Sequence, residues 1–203
     1  MGPPSLPTSA SYTSGTNFNM VLKMVGTPVD ALPYLRGIQA VLAGYEGYTK
    51  GKRRTADRAI RDEIIRAARR TRAHIANIHD AAFLNSDLTM ALVAKQCCAS
   101  IDALIEEVAK ASSGLPNSFF SSHRAVTNGD LKRLIRHDHH AIMMVTKATN
   151  IANAAERELT QASEEGAVHG LVQRCQQMVT SATGFFSERT MLLDGLRQKK
   201  RRI

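Results

Sequence analysis

Between residues 55 and 84 the large aliphatic side chains Ile60, Ile64, Ile75 and Ile78, with Thr71 in the same register, stand at spacings of three, four and seven. An α-helix turns about 100° per residue, so this spacing stacks all five on one side, whereas a strand would need alternation every second residue. The stretch therefore predicts one long helix that must bury a single stripe against neighbouring helices. The same wheel gathers Arg54, Arg58, Arg61, Arg69 and Arg72 into a second, narrower stripe away from the isoleucines, and Arg66 and Arg70 broaden it.

Similar periods fill most of the remaining chain. Thr27, with Pro28 at the tolerated first position and Asp30 near the positive end of the helix dipole, predicts a first helix carrying Leu35, Ile38, Val41 and Leu42, with Pro33 shifting or kinking its start. A loop follows from Gly44 to Lys52. Asn85, Ser86 and Asp87 end the arginine helix and recap a third, whose apolar set is Leu88, Leu92, Ile101, Leu104, Ile105 and Val108, up to a stop at Gly114-Leu115-Pro116. After a Ser- and Phe-containing loop at 117–123, Thr127 or Asn128 caps a fourth helix with Leu131, Leu134, Ile135, Ile142, Val145, Ile151 and Leu159. A turn around Gly166 precedes a fifth, whose stripe includes Val168, Leu171, Val172, Cys175, Met178, Val179, Ala182, Phe185 and Phe186.

Aromatic residues make up only 5% and Trp is absent, which further disfavours sheet. Short links between long helices imply antiparallel neighbours, so the expected fold is all-α, an up-and-down bundle of four to five long helices. Residues 1–17, rich in Pro, Ser, Thr and Gly with no apolar period, are expected to form a disordered tail. Residues 18–114 then hold the N-terminal helices and 115–203 the C-terminal ones, either as a second unit or as one continuous bundle.

Charge narrows the partners. Lys and Arg number 27 against 18 Asp and Glu, a formal +9. Ten of the cations fall between 50 and 72 (Lys50, Lys52, Arg53, Arg54, Arg58, Arg61, Arg66, Arg69, Arg70 and Arg72) against Asp57, Asp62 and Glu63, a local +7. Residues 197–202 add +5, so the rest of the chain sums to −3. Basicity this concentrated points to a surface for anions, because guanidinium forks pair two-pronged with phosphate oxygens. Three acids cannot neutralise ten cations, which disfavours a merely solvated face. Lys199, Lys200, Arg201 and Arg202 read as a localisation signal, a second phosphate contact or a solvated terminus.

Catalytic and metal-binding patterns are missing. His137, His139 and His140 with Cys97 and Cys98 have poor spacing for zinc; neither C-x-x-C nor H-E-x-x-H occurs, and these histidines are expected in solvent. No Glu stands three residues before a His in any predicted helix, as a di-iron bundle would need, and no G-x-S-x-G or Gly-rich phosphate loop is present. The expectation is a protein that is not an enzyme and takes no cofactor, metal or small-molecule substrate. Cys97, Cys98 and Cys175 are too few for a disulfide framework, which fits a reducing compartment. No uninterrupted apolar stretch approaches the ~20 residues of a membrane span, and the N-terminus lacks a signal-peptide layout. Leu6 stands where a myristoylation pattern wants Ser or Thr.

His123-Arg124, then Leu134-Ile135-Arg136-His137-Asp138, then a helix containing Ala, Thr and Met, resembles the C-terminal half of the matrix proteins of influenza-type viruses (orthomyxoviruses). Leu92-Val93 with Cys97 or Cys98 and Ile101 resembles that family's helix before the histidine segment, and Arg36-Gly37-Ile38 followed by Lys52-Arg53-Arg54 is similar to its apolar helix and basic cluster. The order is kept from about residue 35 to 180. The family's Cys-x-x-Cys followed by spaced histidines is not reproduced. The resemblance implies an all-helical matrix protein that polymerises beneath a viral envelope, touching acidic lipid and ribonucleoprotein, with Arg53 to Arg72 as the contact.

Together these readings predict a viral matrix-like structural protein, a homo-oligomer that binds anionic membrane and RNA or ribonucleoprotein through its basic helix. It would lie in the virion beneath the envelope and in host cytoplasm or nucleus, or in the cytoplasm if not viral. One alternative is a sequence-nonspecific nucleic-acid packaging protein, since no aromatics stand beside the arginines to stack on bases. Another is a helical-bundle adaptor that offers grooves to partner helices.

Overall fold

The structure, a computed structural model, describes residues 31–49, 52–111, 127–161 and 166–198. It contains α1 (Leu32–Val41), α2 (Arg53–Leu84), α3 (Leu88–Lys110), α4 (Asn128–Thr160) and α5 (Ala167–Gln198), with no strand among the described residues. The fold is the expected all-α bundle, built from four long helices and one short one. The 1–17 tail, the Thr27 to Asp30 helix start, the Gly114 to Pro116 stop and the 117–123 loop lie outside the described residues.

Local sequence explains the helix ends. The Asp87 carboxylate accepts the Met90 amide at 2.9 Å and Thr127 accepts that of Asp130 at 3.2 Å, so each satisfies one orphan N–H of a first turn. Pro33 sits in the first turn of α1, where its missing donor costs nothing.

Side-chain pairs fix the topology. Arg72 reaches Asp102, so α2 and α3 are antiparallel; Cys175 against Ala148 and Arg189 against Asp138 make α4 and α5 antiparallel as well. These two hairpins lie side by side in the same sense. Thr71 meets Thr149 and Asn77 meets Glu156, placing α2 parallel to α4, while Ser100 meets Gln176 and Glu107 meets Ser187, placing α3 parallel to α5. Each long helix therefore packs on two neighbours, α2 faces α5 across the core, and α3 faces α4. Chain order had suggested that α3 and α4 would be neighbours. Instead these two helices stand at diagonal corners of the bundle.

All four long helices contribute to one core, so the N-terminal and C-terminal halves form a single bundle. Ile60, Ile64, Thr71, Ile75 and Ile78 are buried as the period predicts, and so are Leu131, Leu134, Ile135, Ile142 and Val145. Leu88 and Leu92 are not: they are exposed, because the buried stripe of α3 runs through Met90, Ala91, Ala94, Cys97, Ile101, Leu104 and Val108, half a turn away. Alanines supply much of the seam, with Ala67 and Ala68 on α2 and Ala141, Ala148, Ala152 and Ala155 on α4. Such small residues let helix axes come close. α3 is also long and apolar enough to cross a membrane, contrary to the expectation from uninterrupted runs. Its buried face opposite Gln96, Asp102 and Glu106, however, is the pattern of a helix packed within protein.

The short α1 lies on α4. Tyr34 meets the rings of His139 and His140 edge-on at 5.6 and 5.9 Å, and the Arg136 guanidinium sits 5.5 Å above the Tyr34 ring. Gly37 makes room for a ring here: a Cβ at that position would overlap Nε2 of His139, which would have to shift. Gly37→Ala is expected to cost about 1–3 kcal/mol through overpacking. Adding His139→Ala should recover most of that loss in urea unfolding, because the clash is with a removable ring.

Candidate anion-binding face and a buried ionic centre

The outer side of α2 is where the sequence places a row of cations, and the structure divides that row. Arg54, Arg58, Arg66, Arg69, Arg70 and Arg72 are exposed and span about 27 Å of helix. Arg58 and Arg69 have no carboxylate partner among the described residues. Arg66 and Arg70 both pair with Glu63, itself buried on the flank of the helix. Arg72 donates to Asp102 of α3 at 2.7 Å, a hydrogen bond that raises its pKa further. Asp62, Ile65, Ala73 and Arg66, Arg69 and Arg70 line an open depression of about 580 Å³ on this surface.

Two predicted members leave the face, and a third is paired off it. Arg61 keeps only 12% of its side chain in solvent because it turns onto the buried Asp57 at 2.9 Å. Arg53 lies on the core side of the wheel and is half-buried, and that burial lowers its pKa. Lys52 is exposed but engaged by Glu46 at 2.5 Å. Lys50 and Lys199, Lys200, Arg201 and Arg202 lie outside the described residues. What remains is six exposed arginines against Asp62, Glu63 and Asp102, still a net positive surface.

Asp57 was expected to be one of the carboxylates screening that surface. It is instead 3% exposed and belongs to a centre that the sequence reading missed. Arg189 of α5, 2% exposed, donates from Nε to Asp138 Oδ1 and from Nη1 to Asp57 Oδ1, both at 2.7 Å, and from Nη2 to the Tyr48 hydroxyl at 2.6 Å. Tyr48 in turn donates to Asp138 Oδ2, and Arg61 closes the set on Asp57 Oδ2. Two guanidinium groups and two carboxylates thus balance, and every carboxylate oxygen has a donor. Burial alone would push the Arg189 pKa down, but Asp138, Tyr48 and Asp57 hold it well above its ordinary value. Burial also raises the Tyr48 phenol, which keeps its proton for Asp138. Arg189, Asp138, Asp57 and Tyr48 are 0–3% exposed and closed off from solvent; the centre ties Tyr48, which follows α1, to α2, α4 and α5.

His137, expected in solvent, is 6% exposed and stacks on Phe185 with ring centroids 4.2 Å apart. Its Nε2 lies 2.9 Å from the Phe185 carbonyl, so the neutral tautomer with a proton on Nε2 donates there. Burial lowers the His137 pKa, offset in part by Asp138. A histidine whose folded pKa is depressed binds its proton better when unfolded. Stability is therefore complete above the unfolded value of about 6.5 and declines as pH falls below it. His137→Gln should flatten the loss of stability between about pH 6.5 and 5, measured by urea unfolding across that range.

Among the described residues no group of three or more His, Cys, Asp or Glu could hold a metal ion. Cys97 and Cys175 are buried side by side on α3 and α5, and the Cys175 thiol donates to the Ala148 carbonyl at 3.6 Å. No family model, curated protein or solved structure matches the chain.

Proposed function

We propose that this chain is a matrix-like structural protein, not an enzyme, that self-associates and uses the exposed arginines of α2 to bind anionic membrane and ribonucleoprotein. The observation that carries the reading is Arg58 and Arg69 standing outward without carboxylate partners among the described residues, flanked by Arg66 and Arg70 sharing one buried glutamate. A face with more guanidinium groups than its own acids can occupy is available to phosphate oxygens. The resemblance to influenza-type matrix proteins supports the same reading and would place the protein beneath a viral envelope.

Arg58 and Arg69 are also the right positions for a test. Removing Arg66 or Arg70 would strip partners from buried Glu63, whereas Arg58→Ala/Arg69→Ala leaves no group stranded. Near acidic lipid each cation contributes about 1 kcal/mol, so the double variant should bind phosphatidylserine vesicles about thirtyfold more weakly at low salt. Equal flotation of the wild type with neutral and phosphatidylserine vesicles would remove the lipid claim.

The exposed guanidinium row equally suits the backbone of a nucleic acid. No Phe, Tyr or Trp stands on α2 before Phe83 at its far end, which favours sequence-blind contact. A gel shift over a salt series checks it: affinity should fall steeply with salt, and no shift even at low salt excludes this reading.

A further inference from the structure

Six large hydrophobic side chains are exposed among the described residues, and four of them crowd one end of the bundle. These are Phe83 (63%), Leu84 (82%), Leu88 (68%) and Leu92 (56%), around the α2–α3 turn. The turn is held rigidly. The Ser86 amide donates to the Phe83 carbonyl and that of Asp87 to the Ala82 carbonyl, a Schellman closure with Ser86 in the left-handed region at φ 61°. Asp87 then caps α3. An ordered cluster of this kind marks an interaction site.

Charge decides what covers it. Carboxylates outnumber cations at this end: Asp80 and Asp87 beside the turn, and Glu156 and Glu158 where the parallel α4 ends nearby, against Arg157 of α4 and Lys95 of α3. Acidic lipid and nucleic acid would be repelled. The complementary partner is an apolar groove with cations at its edge, and the chain carries one. Exposed His140, Met143 and Lys147 and half-buried Met144, Met178 and Phe185 line a groove of about 560 Å³ between α4 and α5, with no carboxylate in its lining. Exposed Arg174 stands one turn before Met178. Met143, 47% exposed, is a fifth of the six exposed hydrophobics. Methionine side chains adapt their shape to an incoming knob.

We propose that the α2–α3 turn of one copy seats in the α4–α5 groove of the next. This deepens the assembly half of the function proposed above and rests on that reading. Knob and groove occupy different parts of the molecule, so the contact is heterologous and grows an open row of copies unless its rotation closes a ring. Neither surface includes the α2 arginines, which stay available along such a row.

Sedimentation velocity on the full chain across a concentration series tests the contact, with circular dichroism confirming that each variant is folded. The wild type should gain mass as concentration rises. Leu84→Asp/Leu88→Asp removes the knob and Met143→Glu/Lys147→Glu the groove, each weakening self-association at least about thirtyfold, as loss of an interface hot spot does. Because each variant keeps the surface that the other lacks, an equimolar mixture should form a one-to-one dimer and nothing larger. A wild type that stays monomeric throughout, or a mixture that does not pair, overturns the proposal. So does a knob variant that loses phosphatidylserine-vesicle binding, since the turn would then be a lipid anchor. Both variants should still float with those vesicles. Intact flotation with failed pairing therefore sinks this contact alone, and failed flotation of the wild type itself with intact pairing sinks the anion-binding reading alone.

Discussion

Arg189→Ala is expected to destabilise the fold by about 3–5 kcal/mol, the usual consequence of removing one partner from a buried ionic set. The loss goes well beyond three hydrogen bonds. Asp138 and Asp57, 0% and 3% exposed, would keep their charge in a dry interior, with Asp138 left only the Tyr48 hydroxyl and Asp57 only Arg61. A domain of this kind has a total stability of about 5–15 kcal/mol, so the variant should sit near the edge of folding. Chemical denaturation measures the drop. The companion variant Arg189→Met/Asp57→Leu/Asp138→Leu/Tyr48→Phe takes out the whole set, and Arg61, at the margin, can turn to solvent. Its stability should return to about the wild-type level, because apolar residues often replace buried ion pairs without loss. If Arg189→Ala alone proved neutral, the centre would not be holding the bundle.

That centre also shows how far the residues could be read. On α5 the buried positions run Val172, Cys175, Val179, Ala182, Phe186, and the next step of the same period is Arg189. On α4 Asp138 falls between Ile135 and Ala141, and on α2 Asp57 falls one turn before Ile60. Each charged residue thus occupied a core phase of its own helix, and that phase was the available signal. A single Asp or Arg on a helix is ordinarily solvated, so only the meeting of three helices and a loop reveals the pairing. Large aliphatic residues behaved otherwise, because their burial needs no specific partner; the isoleucine stripe of α2 was legible for that reason. Leu88 and Leu92 misled, since the alanines and Cys97 that define the α3 seam carry little hydropathic weight beside two leucines. On the arginine face, outward direction could be read from the wheel. The withdrawal of Arg61 and the engagement of Arg72 could not, because Asp57 is held inward by α5 and Asp102 comes from α3.

Phe186→Ala should cost about 3–5 kcal/mol, the range for removing a buried aromatic ring from a core. Phe186 is 1% exposed and lies one turn before Arg189, whose guanidinium carbon is 5.9 Å from the ring centroid. The ring therefore acts in two ways, filling the core and offering its negative face to a desolvated cation, a contact that contributes up to about 2 kcal/mol. Phe186→Leu separates them. It restores most of the volume but no π face, so its remaining deficit, with the urea m-value unchanged, reports the cation contact and any residual packing defect. Phe186→Ala also opens a void against polar atoms, where water can enter and solvate the carboxylates that Arg189 would otherwise serve. Arg189→Ala should consequently cost less in the Phe186→Ala background than alone, with a coupling of about 0.5–3 kcal/mol for residues in direct contact. Strict additivity would mean that ring and guanidinium stabilise the bundle independently and that the void stays dry.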